Sequence, residues 1–197
     1  MKKKSLLSKI WHFLWESKSF ASWLVCLIIC FLLVVFVFFP LASLILSTPL
    51  PFVVVESSSM EHNGNFSIWW SAFGSWYTQY GIDQNDVQKW SFLGGIDKGD
   101  IIVVKGLKNH SLYKKGDVIV FALPGKTPII HRIVSIDSVV ATKGDNNDFQ
   151  LAEETNVKEQ QILGKAVMRI PKLGWIKLYP CSFCSRCCNI IDKIRKV

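Results

Sequence analysis

Between Ser19 and Val55 the chain carries no charged residue, a run of 37 positions, and Trp23 to Leu46 is almost wholly Leu, Val, Ile, Phe and Cys. About 20 apolar residues span a bilayer core as a helix, so this run is long enough to cross one with some tilt. Pro40 interrupts it and is expected to kink the helix or mark its approach to the interface. A cleaved signal peptide would hold an apolar stretch of only about 7–15 residues ending at a small-residue cleavage site. Here Pro49 and Pro51 follow instead. Residues 22–48 therefore read as an uncleaved anchor.

The distribution of charge supports that reading. The formal net charge is +8, yet residues 1–21 hold +4 and residues 165–197 hold +7, leaving the 143 residues between them at −3. Basic ends around a mildly acidic body fit a membrane surface and argue against nucleic acid as a partner. Lys2, Lys3, Lys4, Lys9 and Lys18 precede the apolar run, and the next basic residue after it is Lys89. The positive-inside rule then puts the basic segment 1–21 in the cytoplasm and the residues beyond about 50 across the membrane. Ile10, Trp11, Phe13, Leu14 and Trp15, among Lys and Glu, suggest a short interfacial helix leading into the anchor.

Past the anchor the pattern changes to short Val- and Ile-rich runs bounded by Gly-Asp or Pro-Gly. Phe52–Val55, Asp100–Lys105, Asp117–Leu123, Pro128–Ile136, Ser138–Thr142 and Ile162–Ile170 are expected strands. Their spacing indicates a mainly β domain over 49–171, a partly closed sheet rather than alternating β/α units. The exception is an insertion at 61–97 rich in Trp, Tyr and Phe, where Trp69, Phe73 and Tyr77 recur at helical spacing. Residues 172–197 form a basic tail in which Cys181, Cys184, Cys187 and Cys188 crowd together. Four cysteines so close lack the two separated pairs of a usual zinc site, and their role stays open.

Five blocks carry chemistry in order: Ser57-Ser58-Ser59-Met60 after a strand, the Gly-Asp-led strands at Asp100 and Asp117, His131-Arg132 within an apolar strand, and Lys143-Gly144-Asp145-Asn146-Asn147-Asp148 in a turn. A serine hydroxyl needs a base within hydrogen-bond reach to act as a nucleophile near neutrality. His131 can supply it, and Asp145 or Asp148 can fix the imidazole tautomer. Taken singly, each block has a plainer reading. A triple serine is most often a solvated linker, His131 among isoleucines can be a core histidine, and Asp-Asn-Asn makes a good turn.

Together the blocks resemble the type I signal peptidases of the archaeal and endoplasmic-reticulum type, in which His stands where bacterial enzymes have a catalytic Lys. The resemblance runs from the anchor to about Trp175. It implies a membrane-bound serine endopeptidase that cleaves signal-peptide-bearing preproteins after a small residue and needs no cofactor. It assigns Ser59 as nucleophile, His131 as general base, and the Ser59 N–H with the Ser57 hydroxyl as oxyanion donors. The family often has Gly and Pro where this chain has Ser58 and His62, so His62 is a competing base, disfavoured by its short distance in sequence from Ser59. The family also commonly has a second Asp a few residues past the turn; here only Asp148 is available, with Glu153 and Glu154 behind it. Asp148 is taken as the His131 partner and Asp145 as a second essential carboxylate, with the order between them open. Lys143 would allow a Ser-Lys dyad, disfavoured because its turn reads as exposed. The rival outside this class is a catalytically silent, membrane-anchored β module for binding or assembly; accessory subunits stay open in either case.

Overall fold

The computed structural model describes residues 11–16, 19–107, 112–137 and 139–183. His110 and the cysteines Cys184, Cys187 and Cys188 lie outside the described residues, as does the side chain of Cys181. Two compact units divide between Ile45 and Leu46. The first is dominated by helix α1, Phe20–Leu46, which among the described residues is the one helix long and apolar enough to cross a membrane. Ser19 caps it by accepting the Ala21 N–H. Before Pro40 the helix widens over Val34–Phe38, where the Phe39 N–H reaches back five residues to the Val34 carbonyl. Proline has no N–H to continue the ladder, and a wide turn is one way a helix passes it.

The second unit is built on a six-stranded antiparallel sheet in the order β1-β2-β6-β3-β4-β5. Its strands are β1 Phe52–Val54, β2 Ile101–Lys105, β3 Val118–Phe121, β4 Ile129–Ile136, β5 Val140–Lys143 and β6 Ile162–Ile170. All four residues of β3 are fully buried. Val118 and Val120 join one apolar cluster, with Met60, Ile102 and Ile130; Ile119 and Phe121 join another, with Tyr113, Ile133 and Val157. Side chains alternate along a strand, so a strand covered on both faces must be apolar throughout. The two Gly-Asp pairs are the same device used twice. Gly99 and Gly116 take φ of 89° and 93°, and the following Asp100 and Asp117 carboxylates accept the N–H of the third residue before them, Asp97 and Lys114. A Cβ on either glycine would lie within 2.2 Å of a tryptophan, Trp175 or Trp90.

The aromatic insertion folds as α2, Phe66–Gln79, and the short α3, Gln84–Val87; the basic tail contributes α4, Trp175–Phe183. Asn65 caps α2 by accepting the Ile68 N–H at 3.0 Å. Trp69 and Tyr77 are buried on its inner face with Ile82, Val87 and Val134. One charged cluster ties this lobe to the sheet. Arg132 of β4 donates from Nε and Nη2 to Asp145 at 2.8 and 2.6 Å, and from Nη1 to the carbonyls of Ser91 and Gly116. Asp145 also receives His62 Nε2 at 3.0 Å and the Tyr77 hydroxyl at 3.3 Å, while the Trp69 Nε1–H bonds its carbonyl. Burial would raise the Asp145 pKa, but the Arg132 charge and the His62 hydrogen bond outweigh it and hold the carboxyl well below the usual range.

Removing one partner of such a pair leaves the other charge buried and uncompensated. Asp145→Asn is expected to cost about 3–5 kcal/mol at neutral pH. The folded pKa of Asp145 is depressed, so its contribution is complete above the ordinary carboxylate range and is lost as pH falls below it. Urea unfolding of both proteins in detergent should therefore show a deficit that narrows on acidification; a deficit constant with pH would contradict this role.

Candidate active site

Ser59 follows β1 and a bend, half-buried beside the exposed Ser57 and Ser58. Its Oγ lies 2.9 Å from His131 Nε2 and 3.2 Å from Ser57 Oγ. His131 is the third residue of β4, buried, and its other ring nitrogen, Nδ1, is bonded to Glu154 Oε1. Glu154 closes the 3-10 turn Ala152–Glu154 and is itself fully buried. Its second oxygen accepts the Leu151 N–H at 2.8 Å, so both oxygens are committed and the carboxylate cannot rotate freely. A carboxylate only accepts, so Nδ1 must carry the proton and Nε2 is left with the lone pair that faces the serine hydroxyl. A hydroxyl, an imidazole and a buried carboxylate thus form one hydrogen-bonded line.

Neighbouring residues of β4 point to opposite faces, which separates two tasks. His131 meets Ser59 and Glu154, whereas Arg132 meets Asp145. The turn after β5 closes the site from behind. The Asn146 N–H bonds the Ser59 carbonyl at 2.8 Å, and Asn146 Nδ2 bonds the Ser58 carbonyl at 3.0 Å. Gly144 packs so closely that a Cβ there would lie 2.8 Å from both His131 Nε2 and the Ser59 carbonyl. Only glycine fits between them.

Several expectations need correcting. The carboxylate on His131 is Glu154, not Asp148, which is exposed on the turn. Three further residues, 149–151, lead into the 3-10 turn Ala152–Glu154, and that reversal is what brings a carboxylate to the imidazole. Asp145 is held by Arg132 and His62 rather than by His131. His62 faces Asp145 through Nε2 and stacks on Trp69 at 4.2 Å, away from Ser59 Oγ, and its Nδ1 is buried without a hydrogen-bond partner among the described residues. Lys143 was expected to be exposed and is instead fully buried, with burial lowering its pKa to about 8 against the opposing charges of Asp145, Glu154 and Asp148. Its Nζ donates to the Gly144 carbonyl at 3.0 Å, while the side chain beside Ser59 Oγ is that of His131.

A cleft of about 820 Å³ opens at Ser59 and His131. Its walls are mostly apolar, formed by Val53, Val54 and Val55 at β1, by Pro128, Ile129 and Ile130 at the start of β4, and by Phe149 and Leu151. Charged groups enter only at Glu56, Asp148 and Lys177, the first and last joined by an ion pair at 2.7 Å. Sequence reading missed Glu154 as the carboxylate under His131. The signal available to it was the pair Glu153-Glu154 directly after the turn.

No protein-family model matches the chain. The signal peptidase complex catalytic subunit SEC11 of Lachancea thermotolerans is 33% identical to it over 96 residues, a stretch covering 42% of this chain and 56% of that relative. The chain thus spans little more than half the length of the curated relative it matches. Over that stretch it is similar to the catalytic subunit of a signal peptidase complex.

Proposed function

We propose that this chain is a membrane-anchored serine endopeptidase that removes signal peptides from exported preproteins. The observation that carries the reading is the Ser59–His131–Glu154 line, with Oγ 2.9 Å from Nε2. His131 Nε2 takes the Ser59 proton as Oγ attacks the scissile carbonyl, and then delivers it to the leaving amine. Glu154 fixes the tautomer and stabilises the imidazolium that forms. The Ser57 hydroxyl and the Ser59 N–H serve the developing oxyanion. Water, activated by the same imidazole, releases the acyl-enzyme.

The similarity to SEC11 and the apolar helix α1 support a substrate that is itself bound to the membrane. The basic segment before α1 favours a cytoplasmic N-terminus with residues from 49 on the far side. An apolar cleft walled by β1, an edge strand of the sheet, suits an extended peptide that pairs with its backbone and buries small side chains. Accessory subunits belong to the same proposal, because the relative is a subunit of a complex.

Purified protein and its Ser59→Ala variant should be incubated, in detergent or lipid, with a precursor bearing a signal peptide, and the product N-terminus sequenced. Cleavage after a small residue by the wild type alone supports the assignment. Equal cleavage by both proteins moves the nucleophile elsewhere, and binding of the precursor without cleavage favours the silent module. Among the carboxylates, Glu154→Gln should lower kcat by about 10³–10⁴-fold through the wrong tautomer. Asp148→Asn should retain most of kcat. The reverse ranking would return the orienting role to Asp148.

A further inference from the structure

Lys143 is a buried cation with no part in the chemistry proposed for Ser59. It ends β5, paired in register with Arg132, and its side chain is fully buried. Its Nζ stands 5.0 Å from the ring centres of Trp76 and Tyr77 and 5.5 Å from that of Phe73. These three rings come from α2, so the ammonium meets the negative π-faces of the inserted helix from the side of the sheet. From inside this box it donates to the Gly144 carbonyl at 3.0 Å, an oxygen that also accepts the Asn147 N–H. Gly144 is the residue wedged against His131 Nε2 and the Ser59 carbonyl, and the next residue but one, Asn146, bonds the Ser58 and Ser59 carbonyls. A continuous set of contacts therefore runs from α2, through Lys143, to the backbone that carries the nucleophile.

Resting on the proposed peptidase reading, we infer that Lys143 is a positioning residue: as an ammonium it clamps the Gly144–Asn147 turn between the aromatic face of α2 and the Ser59–His131 pair, and its deprotonation sets the alkaline limit of the reaction. The groups around it are Asp145, Glu154 and Asp148, which favour the charged form, Tyr77 across the box, and Arg132 beside it on β4. Burial opposes them and brings its titration down to about 8, inside the range where enzymes are assayed. Above that pH the amine loses its attraction to the three rings and the turn is held by its backbone bonds alone. Stability should move the other way. A lysine whose folded pKa is depressed makes the unfolded state bind more protons between the folded and unfolded values, so stability rises with pH across that window.

The test compares full-length wild type, Lys143→Arg and Lys143→Met in detergent, with precursor cleavage and urea unfolding both followed from about pH 7 to 10. The wild type should lose kcat above about pH 8 with little change in KM, while its resistance to urea increases. Lys143→Arg, whose guanidinium stays charged, should carry activity to higher pH. Lys143→Met should fill the box without a charge and give a low kcat that no longer falls with alkaline pH. A wild-type alkaline limb retained in Lys143→Met, or activity and stability falling together, would overturn the inference. The Ser59→Ala protein separates this from failure of the peptidase reading. With lysines labelled at Cε, a carbon resonance titrating near pH 8 and missing from the additional Lys143→Met change is expected there even if no precursor is cleaved. Absence of such a resonance would also sink the proposal.

Discussion

The buried Arg132–Asp145 pair is the contact on which the rest of the sheet unit is hung. Two charges of this kind, taken out of water, cost several kcal/mol each unless their hydrogen bonds are complete. Here they nearly are. Arg132 reaches Asp145 and the carbonyls of Ser91, Phe92 and Gly116, while Asp145 gathers His62 and Tyr77 as well. These partners come from β4, the turn after β5, the turn before β3 and three parts of the aromatic insertion. The pair can therefore be satisfied only when the sheet and the helical lobe are docked in one arrangement. Its worth to the fold lies as much in that specificity as in net stability.

Fixing Arg132 fixes its neighbour. Because consecutive residues on a strand face opposite ways, the charge cluster that orients Arg132 also holds the backbone of His131 with its ring toward Ser59. The two carboxylates then divide the work. Asp145 is matched with a permanent cation, which keeps it ionised, and it bonds His62 rather than His131. Glu154 has no such cation among its hydrogen bonds; it holds the Leu151 N–H with one oxygen and His131 with the other.

Features governed by neighbours in sequence were legible before the structure. The strands start within two residues of their expected positions, and Trp69, Phe73 and Tyr77 do share the inner side of a helix. The Gly-Asp pairs mark turns whose glycines take positive φ and whose aspartates fold back three residues. Ser59 and His131 were legible only as a set of blocks in order, since 72 residues separate them. What escaped was decided by tertiary placement. Lys143 reads as a turn residue because Gly144 and Asp145 follow it, yet α2 folds over it and removes it from water. Asp148 reads as the natural acid because it is near the turn, but the distance that matters is set by the 3-10 reversal at Ala152–Glu154.

That substitution of a later glutamate for a nearer aspartate has a geometric logic. The turn at 144–147 is already committed on three sides, to Arg132 through Asp145, to the serine loop through Asn146, and to α2 through Lys143. A carboxylate inside so tightly bonded a turn has no freedom left to reach His131 as well. A carboxylate on a separate reversal does reach it, and is held there by the Leu151 N–H and by Gln150, whose Nε2 bonds the carbonyls of Thr142 and Glu154. Holding the serine loop still and answering the histidine are different mechanical demands, and the chain meets them with different segments.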